Sequence, residues 1–274
     1  MQIMGILNVT PDSFSDGGKY GSVEQAVKCA LEMVEEGADV IDVGGESTRP
    51  GYQRISDEEE IARVVPVIRA IREKSDVTIS IDTYKYDVAK AAIEAGADVL
   101  NSIWGFVKDE RLAELVAETG VSVVLMHNRE EPFAADVSKT GASDGMNSDE
   151  ETAFMQAVVD ELDRSLTIAE KYGIPKDKIW LDPGVGFGKT YEQNLAVIRH
   201  VDQLVAMGYP VLMAASRKSV IGIALDLPVD QREEGTLTIT VYAALKGCQM
   251  VRVHDVAENK RALTMLEKVM SQQS

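Results

Sequence analysis

Four polar residues, Asp42, Asp82, Asn101 and Asp182, stand at or near the ends of short apolar runs where burial alone asks for none of them. Three carboxylates and an amide brought together can hold a metal through oxygen, or accept hydrogen bonds from a ligand edge that presents several N–H donors. Taken singly, each is as readily an N-cap of the helix that follows. Four on one face are less easily explained that way. The chain has three histidines and no H-x-x-x-H or C-x-x-C spacing, which argues against zinc. A labile Mg²⁺ shared with substrate phosphates suits such an oxygen site better.

A basic set accompanies the acids: Arg49, Lys189, Arg217, Lys218, Arg252 and His254. The run SRKS at 216–219, followed by Gly222, offers a lysine, two hydroxyls and backbone N–H groups at a helix start, which is the chemistry of an anion cradle. Alone it reads equally as a solvated charged turn, and Arg252 with His254 strengthens the anion reading. The glycine-rich DPGVGFGKT at 182–190 is not a P-loop, because its spacing differs and Pro183 stands within it. Its glycines are expected to let backbone approach a flat ligand, with Phe187 as an aromatic wall.

The elements that must position these residues alternate along the whole chain. Strands are expected near 3–7, 39–43, 77–81, 98–101, 121–126, 179–182, 211–214 and 250–253, each followed by an amphipathic helix. Gly37, Gly96, Gly120, Gly173, Gly208 and Gly247 fall where helices end and strands begin. Such alternation gives an open doubly wound sheet or a closed barrel, and eight units in 274 residues favour one (β/α)₈ TIM barrel spanning 1–274 as a single domain. In such a barrel the carboxyl ends of the strands form the active-site face. Pro66 is expected to kink or split the helix at 57–73. Segment 130–148 reads as an irregular insertion before a helix at 149–172. The long connections 9–21 and 44–56, after the first and second strands, read as active-site loops rich in Gly, Ser, Asp and Pro.

Composition excludes several classes. A net charge of -17 makes nucleic acid or an anionic membrane a poor partner, so an anionic ligand must be caught by a local cluster. No run approaches the length of a membrane span, and no signal-like segment precedes the first strand, so a cytoplasmic chain is expected. Cys29 and Cys248 suggest packing rather than a disulfide framework.

The blocks GILNVTPDSFSDGG, DVGGESTRPG, SIDTYK, NSIWG, LMHN, LDPGVGFGKT, ASRKS and VRVHDV resemble, in order and in spacing, the signature blocks of bacterial dihydropteroate synthases, and together they span essentially the whole chain. The resemblance implies a homodimeric (β/α)₈ barrel of the folate pathway. Such an enzyme joins 4-aminobenzoate to 6-hydroxymethyl-7,8-dihydropterin pyrophosphate and releases pyrophosphate with Mg²⁺.

Carried onto this sequence, it implies that Asp182, Asp82, Asn101, Lys218, Arg252 and Met126 bind the pterin, Asp182 accepting paired N–H bonds and Arg252 stacking on the ring. Asn8, Arg252, His254 and the loop 12–16 would face the pyrophosphate, with Asn8 the protein ligand to Mg²⁺. Thr48, Arg49, Pro50, Phe187 and Ser219 would form the 4-aminobenzoate site. Asp82, Lys218 and Asp182 are the expected catalytic residues, with pyrophosphate leaving before attack and Asp82 stabilising a cationic pterin methylene.

The chain departs from the family pattern at Ser102, where Asp is usual, and at Ala214 and Ala215, changes expected to touch the pocket floor. Two other readings use the same barrel: a pterin-dependent methyltransferase, against which SRKS and RVHD weigh, and a non-catalytic pterin-binding protein.

Overall fold

The computed structural model describes residues 1–10, 18–46, 54–129 and 145–271, and of residues 18–22 the backbone alone. Eight strands are present: β1 (Gln2–Asn8), β2 (Val40–Gly44), β3 (Thr78–Asp82), β4 (Val99–Ser102), β5 (Ser122–Met126), β6 (Ile179–Asp182), β7 (Leu212–Met213) and β8 (Met250–Val253). They pair in parallel in the order β6-β5-β4-β3-β2-β1-β8-β7, and a bridge between Leu181 and Val211 joins the two ends. The sheet is therefore a barrel, as expected. Its tightest economy is at β7, where of the four expected residues only Leu212 and Met213 pair with β8, while Val211 bridges to β6. Pro210 before it has no N–H to give, and beyond Met213 the chain turns toward Arg217, whose φ is 56°.

Ten helices are found among the described residues: α1 (Gly18–Glu36), α2 (Asp57–Arg72), α3 (Tyr86–Glu94), α4 (Arg111–Thr119), α5 (Ser148–Lys171), α6 (Tyr191–Arg199), α7 (Asp202–Ala206), α8 (Ser219–Leu225), α9 (Glu233–Leu245) and α10 (Val256–Met270). Their starts follow capping chemistry. Ser56 accepts the Glu59 N–H at 3.2 Å, and Asn147 with Glu150 and Thr190 with Gln193 form reciprocal capping boxes. The six glycines expected at helix exits all have positive φ.

Two helices differ from expectation. Pro66 does not split α2, which runs unbroken. Pro66 and Ala62 are both exposed, so the carbonyl deprived of its helical partner faces water rather than the core. Helix α1 begins at Gly18, inside the expected loop. Propagation from the amphipathic turns after Val23 outweighs the poor helix propensity of Gly18 and Gly21.

Apolar side chains divide into two layers. One, large, fills the space between strands and helices. The other is the barrel interior: Met4, Val40, Val99, Val124, Leu212 and Met250, with Trp180 packed against them. Because successive strand residues face opposite sides, the residue two positions further along each strand also points inward. Those residues are Asp42 after Val40, Asn101 after Val99, Met126 after Val124, Asp182 after Trp180 and Arg252 after Met250. An apolar plug below thus places a polar ring above it. Cys248 is buried, and burial pushes its thiol up to about 12, as befits a packing residue. Among the described residues no helix is long and apolar enough to cross a membrane.

Candidate active site

Asp42, fully buried, is the hub of the polar ring. It accepts the Asn101 Nδ2 at 3.2 Å and the Arg252 Nε at 2.6 Å, both through Oδ2. The other end of the same guanidinium, Nη2, donates to Asp82 Oδ2 at 2.7 Å. Arg252 thus links two carboxylates that come from adjacent strands β2 and β3. Burial opposes its charge, but attraction to Asp42 and Asp82 outweighs that cost and the guanidinium stays ionised. Asp82 is raised to about 7, chiefly by burial, with Arg252 opposing the rise and Asp42 adding to it.

Across the mouth, Asp182 is 3% exposed, and burial raises its carboxyl against the pull of Lys218. Its Oδ1 accepts the Gly184 N–H at 2.7 Å, closing the turn that follows β6. Oδ2 has no such bond from the loop and is the oxygen best placed to accept from a ligand. Lys218 donates to the Val185 carbonyl at 2.5 Å, with its Nζ 4.8 Å from the centre of the Phe187 ring. Burial lowers this lysine to about 8, and the charges of Asp182 and Asp82 hold it from falling further. Met126 is buried and pairs in register with Asp182, supplying an apolar wall at the foot of the site.

Two glycines of 184–188 serve the protein's own packing. A Cβ on Gly184 would lie 1.9 Å from the His127 carbonyl oxygen, and one on Gly188 would lie 2.8 Å from the Arg129 carbonyl oxygen. Both let this loop pack against the end of β5. Gly186 faces Lys218. Lys189 also turns inward, as described below, rather than joining an anion cluster.

The SRKS segment divides its side chains. Ser216 Oγ is 2.9 Å from His254 Nδ1 and accepts the His254 backbone N–H at 3.2 Å. Arg217 is drawn to Asp255, with Nε to Oδ2 at 3.0 Å and Nη2 to Oδ1 at 2.5 Å, so it does not join the mouth. Ser219 is exposed at the start of α8. Gly222 serves packing, since a Cβ there would meet the Arg232 guanidinium. Asn8 stands at the end of β1, and its Oδ1 and the Asp82 Oδ2 flank the same face of Gly44, 3.8 and 3.9 Å from where a Cβ would be.

Ser102 does not alter this pocket. Its hydroxyl donates to the Gly105 carbonyl at 2.9 Å, on the opposite side of β4 from Asn101. Ala215 packs in the helix-facing layer. Thr48, Arg49, Pro50 and the loop 12–16 lie outside the described residues.

Sequence reasoning gave no role to a second cluster, beside the stem of the 47–53 segment. Lys85 Nζ reaches Glu46 Oε2 at 2.7 Å, Glu60 Oε2 at 2.8 Å and the Ile55 carbonyl at 2.8 Å. Glu46 also accepts the Ile55 N–H at 3.0 Å and the Tyr84 hydroxyl at 3.0 Å. Residues 46 and 55 are thereby tied. The only trace in the sequence is a Glu and a Lys inside two of the quoted blocks.

The site can accept N–H donors at Asp182, donate from Lys218, and surround a bound group with the charges of Asp82 and Arg252. Its relatives do related chemistry. The family model described as pterin binding enzyme matches residues 4–254. A dihydropteroate synthase of Clostridium beijerinckii is 50% identical over 266 residues, covering 97% of this chain and 93% of that one. The solved dihydropteroate synthase of Clostridium difficile, determined in the presence of pteroic acid, is 44% identical with a TM-score of 0.88, covering 98% of this chain and 96% of that chain. That of Xanthomonas albilineans with 4-aminobenzoic acid is 39% identical with a TM-score of 0.86, covering 98% and 93%. With a closed eight-stranded barrel and a buried acid and lysine mouth at the carboxyl ends of its strands, the chain belongs to the pterin binding enzyme family, among the dihydropteroate synthases.

Proposed function

We infer that this chain condenses 6-hydroxymethyl-7,8-dihydropterin pyrophosphate with 4-aminobenzoate to give 7,8-dihydropteroate and pyrophosphate. The observation that carries the reading is the enclosure of Asp182, Lys218 and Asp82 in one mouth. A pterin edge would donate paired N–H groups to Asp182, and Lys218 would donate to the ring carbonyl and adjacent nitrogen. The C–O bond to pyrophosphate breaks with its electron pair going to the leaving oxygen. Asp82 then stabilises the cationic methylene electrostatically. The amine of 4-aminobenzoate, held beside Phe187 and Ser219 with Thr48, Arg49 and Pro50, forms the new C–N bond and gives its proton to solvent. No strong general base is needed. His254, Asn8 and Arg252 are assigned to the pyrophosphate.

Asn8 offers one neutral amide oxygen beside Asp82, a donor type that suits Mg²⁺ arriving on phosphate oxygens better than a preformed protein cage. Bound there, the cation would neutralise charge on the leaving pyrophosphate. Pyrophosphate release from the two substrates is expected to require Mg²⁺ and to stop with excess chelator. Calorimetry should show no tight stoichiometric Mg²⁺ binding to the protein alone. Absence of release with both substrates and Mg²⁺ sinks the functional reading, and tight metal binding without substrate sinks the shared-site assignment.

The two titrating groups set the expected pH dependence. Asp82 is raised to about 7, so its negative charge is lost as pH falls through that value. Lys218 is lowered to about 8, so its positive charge is lost as pH rises through that value. The profile of kcat/KM for the pterin substrate should therefore be a narrow bell between these limbs, which belong to the coupled site as a whole. A profile flat across that window refutes the assignment of both charges.

A homodimer, implied by the resemblance, and the cytoplasmic location expected from the sequence belong to the same reading. Sedimentation equilibrium should return twice the chain mass, and a monomer at micromolar concentration overturns the dimer.

A further inference from the structure

Lys189 is a buried cation to which the reaction assigns no role, only 7% exposed. Among the described residues it makes no ion pair. Its ammonium has three N–H donors and finds three carbonyl oxygens: Gly184 at 2.8 Å, Phe187 at 3.0 Å and His127 at 3.3 Å. A buried ammonium is tolerated only when its donors are met, and here the match is one to one. Burial accordingly pulls this lysine well below the usual range, against the attraction of Asp182.

The three carbonyls belong to three parts of the site. His127 follows β5, and its N–H donates to the Asp182 carbonyl at 2.9 Å. Gly184 gives its N–H to the Asp182 side chain at 2.7 Å. Phe187 carries the ring beside Lys218. From outside the loop, Asn194 accepts the Gly186 N–H at 2.6 Å and donates to the Lys189 carbonyl at 3.3 Å, so the lysine's own backbone is also held.

We propose that Lys189 is a positioning residue: its ammonium fixes the Phe187 ring relative to the Asp182 carboxylate and so holds the pterin and 4-aminobenzoate subsites in register. The inference rests on the functional reading above, which assigns those subsites. Lys189 does not touch either substrate, and acts through the carbonyl oxygens it gathers.

Two probes separate this role from a merely structural one. 6-Hydroxymethylpterin fills the pterin subsite alone, whereas pteroic acid spans both, so the ratio of their affinities reports the register. Calorimetry on Lys189→Met should show the affinity for pteroic acid relative to that for 6-hydroxymethylpterin fall by roughly tenfold, with bare pterin affinity changing much less. In a Phe187→Ala background the same substitution should leave the ratio nearly unchanged, because both act on one contact. Lys189→Gln keeps two of the three donors and is read by the same cycle should the methionine variant not fold. Equal losses for both probes, an unchanged ratio, or additive effects with Phe187→Ala overturn the proposal. Wild-type protein that binds neither probe removes the functional reading, and this inference with it. Wild-type protein that binds both, with a ratio indifferent to Lys189, removes the inference alone.

Discussion

Asp182→Asn lowers pterin affinity by at least about tenfold while far-ultraviolet circular dichroism stays that of the native fold. One carboxylate oxygen already accepts the Gly184 N–H. The amide that replaces the carboxylate must keep its single oxygen for Gly184 and turn NH₂ toward the ligand, or the reverse. Either way an N–H meets an N–H in a buried place, at a cost of roughly 1 to 3 kcal/mol. A second effect adds to the first. The charge of Asp182 is what chiefly offsets the burial of Lys218, so its removal lowers the lysine further and part of the protein loses that cation near neutrality. The alkaline limb of the pH profile should therefore move to lower pH in the same variant. Wild-type affinity for 6-hydroxymethylpterin in Asp182→Asn removes this carboxylate from the pterin subsite.

Asp82→Asn reduces kcat by about 10² to 10³, the range seen when one preorganised electrostatic stabiliser is removed, with a smaller change in pterin affinity. Asparagine keeps the size and one acceptor but not the charge that a developing cation requires. The fold should hold because Arg252 retains Asp42, whose bond at 2.6 Å is independent of Asp82. Single-turnover rates at saturating substrates make the measurement, and a rate within about threefold of wild type rejects electrostatic stabilisation by this residue. The acidic limb should disappear with it, since the group raised to about 7 is gone.

Which residues would sit in the mouth was legible in the sequence because each interrupts an apolar run, and a strand buried on both faces has no packing reason to carry Asp or Asn. The glycines at helix exits marked the units for the same local reason. What could not be read was partnership. Arg252 meets Asp42 and Asp82 because β8 pairs with β1, β1 with β2 and β2 with β3, and residues 210 and 170 positions apart in sequence share no local pattern. Lys189 reads as one of the basic residues gathered at the strand ends because nothing in GFGKT says which way a flexible four-carbon stem will fold. Ser102 looked like a change in the pocket floor, yet it is one residue from Asn101, and one residue in a strand reverses the face. Whether Pro66 splits its helix depends on whether the orphaned carbonyl reaches water, which only the packing of α2 decides.

The ion pair between Arg252 and Asp82 also bears on which anions the mouth admits. In the free protein the guanidinium already faces a carboxylate tethered to the same barrel, so a diffusing inorganic phosphate meets a neutralised cation and must compete with an anion of very high effective concentration. A ligand anchored at its other end on Asp182 and Lys218 brings its own anion in by tether as well, and competes on equal terms. The resting contact thus sets a higher threshold for a free anion than for one tethered to a pterin.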